Sequence, residues 1–139
     1  MAKTAFFYDE LFLKHDSGRF HPESPERLEA ILQGLKQAGL WEKLIHVSPQ
    51  PATEEQVLLA HTKEHFDSIR EYAQRKSVQI DPDTHVSEHS FDAALLAAGA
   101  AIGAVDGILN GEYESAFAAV RPPGHHATTG EAMGFCLFN

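Results

Sequence analysis

The chain has 139 residues, enough for one compact domain and too few for two. With 43% hydrophobic and 22% charged residues its composition is that of a globular protein, which excludes disordered, collagen-like and low-complexity classes. Eleven Lys+Arg against twenty Asp+Glu leave a net charge of −9, which disfavours nucleic acid or an anionic membrane as a partner and suits a small or cationic ligand.

Residues 5–8 form a short aromatic run closed by Asp9 and read as a buried strand. The polar stretch to Ser24, broken at Gly18 and Pro22, is predicted as loop. The first helix is predicted from Ser24, which can cap it, with Pro25 at the first helical position and Glu26 complementing the dipole. Leu28, Ile31, Leu32, Leu35 and Ala38 follow at helical spacing, and Gly39 supplies the stop. Residues 44–47 are a candidate strand before a turn at Pro49-Gln50-Pro51. Thr53-Glu54-Glu55-Gln56 is a capping box that opens a short helix. Thr62 caps another, with Phe66, Ile69 and Ala73 on one face. Residues 77–86 are expected to be extended or loop, interrupted at Asp81-Pro82-Asp83.

A long helix is predicted over 88–110, with a stripe of Leu95, Ala98, Ile102, Val105 and Leu109. Gly99 and Gly103 lie four apart on it; mid-helix glycine costs about 1 kcal/mol relative to Ala, so close packing is expected there. Its other side is Ala-rich, so burial on more than one side is expected. Residues 115–120 read as a buried strand that runs into Arg121-Pro122-Pro123-Gly124-His125-His126. The alternation of strands and helices indicates an α/β layered fold, in which ligands sit beyond the carboxyl ends of the strands. No long apolar leader develops after Lys3, and the longest apolar stretch, 93–105, is shorter than the roughly 18 residues of a membrane span. One cysteine cannot form an internal disulfide, and the expected compartment is the cytoplasm.

Two prolines stiffen the loop that presents His125 and His126, and Gly124 permits close backbone approach or an unusual φ. Adjacent side chains in extended backbone diverge, so the pair suits two proton-handling groups, each with its own orienting partner, better than joint ligation of one metal. The plainer alternative is two ordinary loop histidines. Cys136 lies among Phe135, Leu137 and Phe138 and reads as a small hydrophobe rather than a nucleophile. Asp81 to His85 contains an Asp-x-His spacing open to a metal, against the alternative of an acidic turn. The string from His21 to Arg27 reads as a helix start, which leaves His21 unexplained.

His-Pro-Glu-x-Pro-x-Arg from His21 to Arg27, Arg-Pro-Pro-Gly-His-His-Ala from Arg121 to Ala127, and Met-Gly-Phe-Cys-Leu-Phe-Asn from Met133 to Asn139 resemble, in this order, the histone deacetylase superfamily. That superfamily includes acetylpolyamine amidohydrolases, and the Arg-Pro-Pro-Gly form is closer to its class II-like branch. The resemblance covers the whole chain. It implies the N-terminal portion of a three-layer α/β/α arginase/deacetylase-like fold with a mainly parallel sheet. It also implies hydrolysis of acyl amides by zinc-activated water. His126 would be the general base and later the acid, and His125 an electrostatic partner. Gly134 would offer its backbone to the acyl-amine, Phe135 would wall the substrate tunnel, and Asp81 would be the rim aspartate, with Asp83 competing. Arg27 would belong to an internal channel.

The family's zinc ligands and its oxyanion-stabilising residue follow these motifs and are expected beyond residue 139. Asp81 to His85 precedes the His pair and is therefore rejected as that zinc site. The expectation is that residues 1–139 are the N-terminal part of one deacetylase domain and inactive alone. Substrates would be an acetylated lysine peptide, a polyamine or another small amide. A non-catalytic binding module of the same fold is the alternative. An unfinished parallel sheet would also make the chain self-associate.

Overall fold

The computed structural model describes residues 2–139. In chain order the elements are β1 (Thr4–Phe7), α1 (Glu26–Gln37), β2 (Ile45–Val47), α2 (Glu54–Val57), α3 (Lys63–Gln74), β3 (Ser77–Asp81), β4 (Thr84–Ser87), α4 (Ser90–Leu109) and β5 (Ser115–Ala118). Short 3-10 helices add Glu10–Lys14, within the predicted loop, and Trp41–Lys43. The first is capped by the Asp9 carboxylate, which accepts from Leu11 N–H at 2.8 Å.

The main sheet has the order β2-β1-β5, all parallel, with Phe6 opposite His46 on one side and Phe117 on the other. Alternation along β1 separates two cores. Phe6 packs in a cluster with Phe12 and Leu28, covered by α1, while Ala5 and Phe7 pack with Ala100 of α4 and Tyr113. A third cluster joins α3, the β3–β4 hairpin and the C-terminal segment through Phe66, Val86, Ala94 and Phe138. The parallel sheet between helices agrees with the expected α/β class, and α4 contributes to all three clusters.

Local signals were reliable where the contact is local. Thr53 and Gln56 make the reciprocal capping box, Thr62 caps α3 through His65 N–H, and Phe66, Ile69 and Ala73 are buried on it. Gly39 sits at φ +65°, with Leu40 N–H bonded to Leu35 O and Gly39 N–H to Lys36 O, a Schellman stop. Residues 77–86 resolve into an antiparallel hairpin with a register shift between Gln79 and Asp81.

Four expectations are corrected. No side-chain cap closes the start of α1; Pro25 is already helical, and the Ser24 carbonyl, not its hydroxyl, receives the first turn from Arg27 N–H at 3.2 Å. The buried residues of α4 are its small ones, Ala93, Ala94, Ala97, Gly99 and Ala100, with Leu96, whereas Val105 and Leu109 of the predicted stripe are 57% and 79% exposed. Hydrophobicity ranks Leu above Ala, but the helix approaches its neighbours too closely for a large side chain. α4 is also longer than the apolar run 93–105. At 20 residues it is long and apolar enough, by length and composition only, to cross a membrane, and 33% of its apolar window is buried within the three clusters. Finally β5 is an edge strand, not a buried one, and Phe117 is 50% exposed.

Candidate active site

The loop 121–127 leaves the carboxyl end of β5, where the parallel strands of an α/β sheet expose their ends. It is clamped from behind by the C-terminal segment. Leu137 N–H donates to Pro123 O, and the Asn139 side chain donates to Ala127 O at 3.1 Å. A Cβ on Gly124 would stand 2.0 Å from Phe138 O, so of the two reasons its sequence context left open, this glycine is there for close approach.

A cleft of about 630 Å³ opens at this loop. His125, His126, Gly134, Phe135 and Arg27 all line it, and so does Asp83. Both histidines are exposed, and their rings lean on one another with centroids 4.3 Å apart. The separate orienting partners expected for them are not found among the described residues. Each ring meets its neighbour instead.

Met133 and Cys136 bond each other through both backbone pairs, Cys136 N–H to Met133 O at 2.9 Å and Met133 N–H to Cys136 O at 3.1 Å. The two residues between them, Gly134 and Phe135, have φ of +55° and +73°, the pattern of a type I′ turn. Glycine takes that conformation freely, whereas Phe135 is strained there. The buried Thr84 hydroxyl accepts from Phe135 N–H at 3.2 Å, and the His21 ring meets the Phe135 ring edge-on at 4.5 Å. A Cβ at Gly134 would lie 2.9–3.1 Å from three atoms of His126. The turn therefore seats His126 and projects Phe135 over the cleft.

His21, unexplained by its sequence, ties this rim together. Its Nδ1 accepts from Glu23 N–H at 3.1 Å, which leaves Nε2–H to donate to Asp83 O at 2.8 Å. Asp81 does not reach the cleft. It lines a neighbouring groove with Tyr72 and Glu131, and its carboxylate is turned to Asp83 N–H at 2.8 Å. The hairpin thus presents Asp83, not Asp81, at the rim. Arg27 donates from Nη2 to Val120 O at 2.7 Å and lies 3.5 Å from Glu23 Oε1.

Cys136 is fully buried, and burial pushes its thiol pKa up, as suits an inert packing residue. His85 uses both ring nitrogens, on Asp16 O at 2.7 Å and Ser77 Oγ at 3.0 Å, so it is not free for a metal. No set of three or more His, Cys, Asp or Glu side chains gathers as metal ligands among the described residues. No third donor gathers with His125 and His126 among the described residues, whereas zinc takes three or four protein ligands, so this chain's donors do not fit a zinc site.

Sequence reasoning missed the buried polar group behind the loop. Arg121 is fully buried and bonds Glu23 Oε1 at 2.7 Å. His15 is buried beside it and bonds Ser90 Oγ through Nδ1 at 2.7 Å. Burial, with the Arg121 guanidinium nearby, lowers the His15 pKa from 6.5 to about 3. The available signal was one charged residue between Val120 and Pro122 at the end of an otherwise apolar run.

The family model described as histone deacetylase domain matches residues 21–139. The chain is 41% identical over 138 residues to a protein named Probable deacetylase from Archaeoglobus fulgidus, covering 98% of this chain and 38% of that protein. It is 40% identical over 124 residues to the polyamine deacetylase HDAC10 of Homo sapiens, covering 84% of this chain and 18% of that one. The solved structure of the HDA15 HD domain matches with a TM-score of 0.94 at 37% identity, over 99% of this chain and 40% of that one. The chain therefore spans about two fifths or less of the length of these relatives.

Proposed function

Because the chain belongs to the histone deacetylase family, we propose that its cleft is the proton-handling part of an amide hydrolase that removes acyl groups from amines. The observation that supports this reading is the convergence of His125, His126, Gly134 and Phe135 on one cleft at a strand end. His126, seated against Gly134, takes the proton from the attacking water as the new C–O bond forms. It then gives that proton to the amine nitrogen as the C–N bond breaks. His125 stabilises the charge on its neighbour. The Gly134 backbone and the Phe135 ring hold the acyl-amine arm, Asp83 grips the substrate at the rim, and Arg27 belongs to an internal channel of the complete domain.

Zinc belongs, in this proposal, to the complete catalytic domain. Its ligands are assigned to the part of the relatives that this chain does not span, in keeping with the poor fit of the donors here. Substrates are acetylated lysine peptides, polyamines or other small amides; one relative is named a polyamine deacetylase. The 139-residue chain is expected to be inactive alone, because a base without an oxyanion donor leaves most of the barrier standing.

The test compares this chain with a version extended to the length of the relatives on acetyl-lysine and acetylpolyamine substrates. The extended form is expected to be active and this chain silent. Within the extended form, His126→Ala should lower kcat by about 10²–10⁴-fold, and His125→Ala by less. An inactive extended form would overturn the reading, and equal losses would overturn the division of roles.

A further inference from the structure

We propose that Glu23 is a positioning residue for the His125–His126 pair, because its buried carboxylate anchors Arg121, the residue from which the histidine loop departs. This role rests on the deacetylase reading of the cleft. Arg121 is 0% exposed, and Glu23 8%. The guanidinium donates from Nε to Glu23 Oε1 at 2.7 Å, from Nη1 to Phe12 O at 2.8 Å and His15 O at 2.9 Å, and from Nη2 toward Ser17 Oγ at 3.4 Å. The Ser17 hydroxyl in turn donates to Glu23 O. Residues 12–23, most of which read as a polar loop in the sequence, are thus a socket for a side chain about a hundred residues away.

A guanidinium taken wholly out of water needs a carboxylate partner, and Glu23 supplies it. The same oxygen lies 3.5 Å from Arg27 Nη2, whose other contact is Val120 O. One carboxylate oxygen therefore faces both guanidinium groups that meet the chain at 120–121. From there the path to His125 is short and has little slack. Pro122 and Pro123 fix φ, and Gly124 abuts Phe138 O. A shift of Arg121 has no flexible segment to absorb it before the histidines.

Glu23 Oε2 is buried and has no hydrogen-bond partner; His15 Nε2 is 4.0 Å away. Glu23→Gln therefore keeps the acceptor that Arg121 uses, removes the charge that holds it, and places an amide NH2 at the Oε2 position, toward His15 Nε2. Arg121→Lys keeps the charge and removes the fork. Glu23 lines the same cleft as the histidines, and among the described residues neither it nor Arg121 hydrogen-bonds either ring.

The experiment is side-chain NMR of His125 and His126 in the 139-residue chain at one pH, with circular dichroism and thermal melting in parallel. The wild type should show a ring-to-ring NOE for the pair. In folded Glu23→Gln or Arg121→Lys that NOE should be lost and both imidazole resonances should move. A role confined to stability would lower the melting temperature and leave the resonances in place, and that result in either folded variant overturns the proposal. Failure of both variants to fold would also overturn it, by making the pair a core ion pair and nothing more. No substrate enters this measurement. Unmoved resonances would leave the deacetylase reading intact, and an inactive extended form would leave the anchoring role intact.

Discussion

Gly134 has two reasons to lack a side chain. Its φ is +55°, and a Cβ would come within 2.9 Å of His126. Gly134→Ala should cost about 1–2 kcal/mol in urea unfolding of this chain and should displace His126. A neutral substitution would mean that the turn relaxes and does not seat the histidine. His15 makes a different residue-scale prediction. Its folded pKa, about 3, lies below the unfolded value near 6.5, so on acidification the unfolded chain takes the proton first. The His15 contribution is complete above about pH 6.5 and is lost as pH falls toward 3; at about 1.36 kcal/mol per unit the full loss is about 4–5 kcal/mol. Unfolding free energy measured at pH 7, 6 and 5 should fall steadily, and His15→Asn should flatten the slope. An unchanged slope would assign the acid loss to other groups, such as His65, whose pKa burial also lowers.

At the scale of elements, α4 is informative because two glycines in helices have opposite surroundings. On Gly99 a Cβ would lie 1.7 Å from Gln50 O and 2.7 Å from Ala52 N, both backbone atoms that cannot step aside. Gly99→Ala should therefore destabilise by about 2–3 kcal/mol. Gly34 in α1 has nothing within 4 Å of its Cβ position, so Gly34→Ala should stabilise by about 0.5–1 kcal/mol. Melting temperatures of the two variants test the pair, and shifts of the same sign would refute the packing account of α4. The capping box at Thr53, the cap at Thr62 and the stop at Gly39 were legible in sequence because their partners lie within a few residues. The stripe on α4 was not, because which face is buried depends on three other parts of the chain.

For the molecule as a whole, β5 is one of the two open edges of the main sheet, β2 being the other. β5 pairs with β1 on one edge, and Phe117 is 50% exposed, as are Val105 and Leu109 on the adjacent helix to still greater degree. A parallel edge strand with exposed apolar residues is a template for association. The chain should self-associate at micromolar concentration by light scattering, and Phe117→Lys should shift it toward monomer. A monodisperse wild-type monomer would contradict this and show that the net charge of −9 is enough to keep the edge apart.

By itself the sequence determined the α/β class, most element positions and the motif residues His125, His126, Gly134 and Phe135, because strand–helix alternation and short motifs are local properties. The tertiary structure alone decided that these residues line one cleft with Arg27, and that Asp83 rather than Asp81 joins them. Two acids on either side of a proline are equivalent in sequence; the folded hairpin puts Asp83 in the cleft with Phe135 and Asp81 in the neighbouring groove. The tertiary structure also decided what Glu23 and Arg121 do. They are 98 residues apart, and no periodicity connects them, because a buried ion pair is chosen by burial and charge in three dimensions and not by spacing along the chain.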